Sequence, residues 1–168
     1  MKKLSLLLVL FVAFALNSEA QKPQSPRMDT EGEVFGAEVE IDYGAPSVKD
    51  RVIWGGLEAY GKVWRAGANE NTTIEFDKDV NIGGKKLAAG KYGFFIIPNE
   101  NSDWVLIFNK RNADWGAYKY DQKEDALRVN VAPTFVDENQ EVLQYTINEN
   151  TIIFAWEKVR IVFPFSPK

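Results

Sequence analysis

The feature that most limits what this chain can fold into is alternation with a period of two. In Glu38-Val39-Glu40-Ile41-Asp42-Tyr43 the residues Val39, Ile41 and Tyr43 share one face and three acids share the other, the pattern of a strand with one buried and one wet face. It returns at residues 72–76, 91–97, 104–109, 127–131, 142–147, 151–156 and 159–165, with 80–82 as a further short candidate. Turn-forming clusters such as Asn81-Ile82-Gly83-Gly84, Pro98-Asn99-Glu100-Asn101 and Asn148-Glu149-Asn150 stand between these segments. No window sustains the three-four apolar spacing of an amphipathic helix, so at most a helical turn is expected around residues 47–50 or 121–125. Eight or nine strands without helices between them predict an all-β chain, a single antiparallel β-sandwich with little helix. Phe94-Phe95-Ile96-Ile97 is apolar on both faces and reads as a central strand covered from both sides. Pro164, which has no N–H to give to a ladder, suits an edge strand.

The first residues speak to location. Lys2 and Lys3 precede an apolar run over residues 4–16, too short to span a bilayer, and Ser18-Glu19-Ala20 forms a small-x-Ala exit. Residues 1–20 are therefore expected to be an export signal cleaved near Ala20, residues 21–32 a flexible lead, and residues 33–168 the sandwich domain. The expected location is periplasmic or secreted, with no stable membrane anchor, since a chain without cysteine carries no lipid thioether. Losing Lys2, Lys3 and Glu19 makes the net charge one unit more negative than the −4 of the whole chain. An acidic chain with no basic stripe is not expected to bind nucleic acid.

The absence of histidine and cysteine removes whole classes of chemistry. Ser-His-Asp and Cys-His nucleophiles, zinc centres, haem ligation and disulfides all need one or the other. What remains is carboxylates, Lys, Arg, Tyr, Ser or an oxygen-bound cation, and no cofactor or metal is expected. Asp77-Lys78-Asp79-Val80-Asn81 has the alternating oxygens of a calcium loop, but Ile82 stands where such a loop needs Gly and Ala88 where it needs Glu. Ser47 and Lys49 have a spacing unlike that of Ser-Lys nucleophile pairs.

Two stretches break the strand rhythm. Residues 46–71 hold Arg51, Trp54, Tyr60, Trp64, Arg65, Asn69 and Glu70, with glycines at 55, 56, 61 and 67. These residues suit the wall of a pocket, or equally a corner in which the tryptophans plug the sandwich and Arg65 pairs with Glu70. In residues 109–125, Trp115, Tyr118 and Tyr120 alternate with Gly116, Lys119 and Asp121. That pattern fits a stacking surface for a sugar or aromatic ligand, or a hairpin arm packed back on the sheet. If both stretches meet at one end of the sandwich, Arg65, Arg128, Glu70 and Asp121 share a cleft.

The segments PSVKDRVIWGGL, YGKVWRAGANE, KKLAAGKYGFF and FNKRNADWGAYKYDQKEDALRV together resemble a family of exported bacterial proteins, domain of unknown function 2911. Its signature falls here on Trp64, Arg65, residues 67–70, Asn109, Lys110, Trp115, Gly116, Tyr118, Tyr120, Asp121, Asp125, Leu127 and Arg128. The chain departs from the family in Asp50, where Gly is usual, and in Ala59, where Pro is usual. The resemblance implies an envelope location and no particular activity. The leading expectation is an exported binding or accessory module with a ligand cleft of Trp64, Arg65, Asn69, Glu70, Trp115, Tyr118 and Arg128, the ligand being a small molecule or carbohydrate. A second is a hydrolase or lyase on a carbohydrate or other small envelope substrate, with Glu70 or Asp121 as acid or base. A third makes the signature structural and puts function in protein-protein contact.

Overall fold

The computed structural model describes residues 25–167, so the expected signal and the start of the expected lead lie outside the described residues. Eleven strands follow in chain order: β1 (Arg27–Val34), β2 (Ala37–Gly44), β3 (Thr72–Phe76), β4 (Val80–Ile82), β5 (Lys85–Leu87), β6 (Gly90–Ile97), β7 (Trp104–Asn109), β8 (Asp125–Val131), β9 (Thr134–Asn148), β10 (Thr151–Val162) and β11 (Phe165–Ser166). A 3-10 turn at Gln122–Glu124 is the one helical element among the described residues.

The main sheet has the order β1-β2-β3-β6-β7-β8, antiparallel throughout. The β9-β10 hairpin forms the second layer, and β11-β4-β5 makes a small third sheet. Alternation decides which face is inside: Val39, Ile41 and Tyr43 of β2 are buried while Glu38 and Glu40 are exposed. The two layers meet through Tyr43 against Tyr145 at 4.8 Å and Phe94 against Phe163 at 5.3 Å. Each such side chain contributes roughly 1.5–3 kcal/mol by leaving water. β6 is central and covered on both faces, as its apolar run predicts: Phe94 and Ile96 face the hairpin layer, and Phe95 lies under Tyr120 at 5.2 Å. In the β4-β5 turn Gly83 and Gly84 take φ of 59° and 71°, open to glycine at no steric cost.

Some boundaries differ from the expectation. The expected lead is a strand from Arg27 onward, paired along its whole length with β2 from Arg27↔Gly44 to Val34↔Ala37. Its side chains are mostly exposed, so it is held by backbone bonds that leave no hydrophobic trace in the sequence. Residues 151–156 and 159–165 are not two strands, because β10 runs through a bulge at Glu157, where φ is 52°. Pro164 falls in the gap between β10 and β11 instead of inside an edge strand, and its carbonyl accepts from Gly83 N at 2.8 Å. β9 begins eight residues earlier than expected, at Thr134, because its first half is polar and exposed.

Candidate functional site

The long connection between β2 and β3 is fixed by backbone bonds to both layers. Val48 N donates to Glu141 O at 2.8 Å, and Leu143 N to Pro46 O at 2.9 Å, so the segment first runs beside β9. Trp64 then exchanges both backbone bonds with Ile96 of β6, at 2.9 and 2.8 Å. That pairing turns the Trp64 ring inward. It stacks on Trp156 at 5.5 Å, meets Trp54 edge to face at 5.7 Å, and donates its Nε1–H to Gly67 O at 3.1 Å. Trp64, expected as a ligand contact, is therefore a core residue, 4% exposed.

The bend that follows is tight. A Cβ on Gly44 would stand 2.0 Å from Ala68 O, and one on Gly67 2.6 Å from Thr72 Oγ1, so only glycine lets these backbones meet. The Ala66 carbonyl accepts from Tyr145 Oη at 2.7 Å and Thr72 Oγ1 at 3.2 Å. These bonds hold Ala66 at a φ of 50°. Lys49, Asp50 and Asn69, at 50°, 55° and 64°, share the left-handed region in the same connection. Asp50 thus takes a conformation that glycine enters at no steric cost. Asn and Asp enter this region readily, whereas Ala and Lys lose roughly 1–2 kcal/mol each.

Along this connection lies a hollow of about 650 Å³, lined by Ser25, Lys49, Arg51, Glu58, Arg65 and Asn69 among others. Arg51 is anchored by its own turn, donating from Nε to Val48 O at 3.0 Å and from Nη2 to Ser47 O at 2.5 Å. Asn69 donates to Ser25 O at 3.2 Å. The Arg65 Nε is buried with no hydrogen-bond partner among the described residues. Its expected ion pair with Glu70 is not among the salt bridges of the described residues, and Glu70 is exposed. Burial pushes the Glu58 carboxyl up to about 7, against the opposing pull of Arg65 and Arg51.

The second signature stretch meets the first at its turn. Gly116 N donates to Asn69 O and Asn71 N to Asp114 O, both at 3.0 Å, and Glu70 pairs with Trp115. A Cβ on Gly116 would lie 3.7 Å from Arg65 Nη1, so Arg65 forms a wall shared by the hollow and this turn. Trp115 and Tyr118 stand out from it, 58% and 86% exposed. The structure thus brings Arg65, Asn69, Glu70, Trp115 and Tyr118 together.

Arg128 and Asp121 are engaged elsewhere. Arg128 donates from Nε to Asp125 Oδ2 at 2.7 Å and from Nη2 to Tyr120 Oη at 2.9 Å, and Tyr120 donates to the same carboxylate at 2.7 Å. Asn109 Nδ2 completes the knot with Asp125 Oδ1 at 2.7 Å and Asp121 O at 2.9 Å. Burial and the neighbouring Asp125 push the Tyr120 phenol up to about 12. The Asp121 carboxylate caps the 3-10 turn by accepting from Lys123 N at 3.0 Å. The expected shared cleft is accordingly corrected: neither Arg128, Asp121 nor Glu70 lines the hollow beside Arg65.

Two participants carried no sequence signal. Arg27 lay in the expected lead, yet it donates to Asp42 Oδ1 at 2.5 Å and Asn71 O at 2.8 Å, tying β1 to the end of the bend. Glu58 is a lone acid in a loop, and only the folded arrangement of residues 51–65 around it shows its burial. No helix of the described residues is long and apolar enough to cross a membrane, and none of their acidic groups forms a cluster that could hold a metal ion.

Comparison with curated proteins and with solved structures finds no match. A family described as protein of unknown function (DUF2911) matches residues 25–165. The matched span covers every strand from β1 to the start of β11 and both signature stretches, and the chain belongs to this family.

Proposed function

We propose that the chain is an exported binding or accessory module of the bacterial cell envelope, and that its ligand enters the hollow beside Arg65 with Trp115 and Tyr118 at the rim. One observation carries this reading: Arg65 is a partly buried cation whose Nε has no acceptor, in a hollow that already holds Lys49 and Arg51. A buried charged N–H without an acceptor gains more than a neutral one when a ligand brings an acceptor to it. Fixed polar groups beside exposed aromatic faces are the usual make-up of a small-ligand site, and the hollow is of the size such sites have. The basic and apolar start of the chain, with its Ser18-Glu19-Ala20 exit, supports export.

A second reading, a hydrolase or lyase, is favoured by Glu58, whose carboxyl near 7 is placed for acid or base work. It moves the candidate catalytic carboxylate away from Glu70 and Asp121.

Thermal unfolding of the chain without residues 1–20, against sugars, carboxylates, other small anions and short peptides, tests the binding reading. A ligand at a hundredfold excess over its Kd adds about 2.7 kcal/mol, a rise of roughly 5–10 °C for a domain of this size. The rise is expected to vanish in a folded Arg65→Ala variant. A panel response that Arg65→Ala leaves intact would place the ligand on another surface and end this reading.

A further inference from the structure

We infer that the hollow receives the acid group of a small oxyanion ligand, a carboxylate or sulfate-like group, in the space bounded by Arg65, Arg51 and Glu58; the inference rests on the binding reading above. The argument begins with sign. The chain as a whole carries −4, yet the charged side chains lining this hollow are Lys49, Arg51 and Arg65 against Glu58 alone. The other lining residues, such as Ser25, Ser47, Leu57 and Asn69, carry no charge. A concave site walled by one sign of charge concentrates the opposite sign within it. A cation would be repelled, and a neutral ligand could accept a hydrogen bond from Arg65 but would leave the excess positive charge of the lining in place. A long polyanion needs a wide basic surface, whereas the pocket volume suits a ligand of a few rings at most.

Geometry then assigns the contacts. Arg51 uses two of its donors on its own turn, which aims the guanidinium and leaves its other N–H groups for a ligand. Arg65 makes no hydrogen bond or ion pair among the described residues. An oxyanion between them gains charge-assisted hydrogen bonds from both guanidinium groups. Glu58 is the group such a ligand must accommodate. An ionised Glu58 repels the anion, while a protonated Glu58 donates its O–H to one of the oxygens. Its carboxyl stands near 7, so the protonated form is available at neutral pH. Above that pH, binding draws one proton from solvent onto Glu58.

Isothermal titration with sodium acetate and sodium sulfate at pH 6 and pH 8 tests this, since neither anion titrates between those values. With Glu58 near 7, the competent protonated fraction falls about tenfold from pH 6 to pH 8, so Kd is expected to rise about tenfold. Glu58→Gln, which keeps a donor and removes the titration, should bind equally at both pH values. Arg65→Gln should not bind, and Lys49→Ala, at an exposed position, should fold normally and bind several-fold more weakly. Binding that ignores pH in the wild type, or that survives Arg65→Gln, overturns the inference. Should both anions fail while another ligand still stabilises the wild type and not Arg65→Ala, the oxyanion inference falls and the binding module stands. Silence from the anions and from the whole panel removes both.

Discussion

Arg65 and Arg128 both belong to the family signature, both follow an aromatic-rich turn and both are half-buried, yet their surroundings are opposite. Arg128 closes a knot in which Asp125, Tyr120 and Asn109 satisfy one another at 2.7 to 2.9 Å. Arg65 faces a hollow with two other cations and a carboxyl that burial holds near 7. The difference teaches that a shared motif says nothing of role until its partners are counted. A satisfied knot stabilises and specifies a turn, whereas an N–H without an acceptor adds nothing to the turn that carries it. The same contrast separates Trp64, drawn inward by its pairing with Ile96, from Trp115, which pairs with exposed Glu70 and stands out into solvent.

The largest effect that sharpens this contrast is expected at the knot. Arg128→Ala leaves the Asp125 carboxylate, 8% exposed, without its cation. Removing one partner from such a pair costs about 2–3 kcal/mol, or roughly 4–12 °C in the unfolding midpoint for a chain of this size. Calorimetry of the variant checks it. A shift under 2 °C, about the size of a surface change, would mean that the knot is as dispensable as a surface pair and that the two arginines are not opposites.

Much of this architecture was legible. β3 and β7 coincide with their alternating segments, and the central position of β6 follows from Phe94-Phe95-Ile96-Ile97. Alternation reports one buried face, so it finds strands packed on the core and misses those whose side chains are mostly exposed, as in β1 and the front of β9. It also breaks at a bulge, which is why Glu157 splits β10 in the sequence and not in the fold. The site was half legible. That the two signature stretches meet stood in the sequence only as a condition, which backbone bonds between Asn69 and Gly116 and between Asn71 and Asp114 fulfil, and which arginine ends beside which carboxylate depends on the register of β7 and β8 and on where residues 46–58 lie along β9. Asp125 and Arg128 are three residues apart on one strand, whereas Glu58 reaches Arg65 through a folded loop with no regular period.

The second effect is on pH dependence. The Glu58 carboxyl is raised from 4.5 to about 7 by burial. Between those values the native state holds a proton that the unfolded chain has released, so stability falls as pH rises through this window and levels off above about 7. Glu58→Gln should therefore match the wild type near pH 4.5 and melt a few degrees higher at pH 8. The side chain is partly exposed, which keeps the effect below that of the knot. A variant that tracks the wild type at every pH would show that Glu58 is hydrated like any surface acid, and the hollow would lose its special carboxyl.

The smallest effect belongs to Arg65 itself. Arg65→Ala removes a cation that donates no hydrogen bond to the described residues, and it relieves repulsion with Lys49 and Arg51. Against this stand the lost contacts of the aliphatic stem and the attraction to Glu58, which exists only while Glu58 is ionised. The terms oppose one another, and the midpoint is expected to move by no more than about 2 °C, the equivalent of about 0.5 kcal/mol. The residue is a lysine-like bystander to folding at pH 6, where Glu58 is mostly neutral, and a slight stabiliser at pH 8, where the pair attracts. Measuring the variant at both values separates a site from a corner: a loss of several degrees at either pH would make Arg65 part of the frame, as Arg128 is, and the comparison that assigns them different roles would collapse.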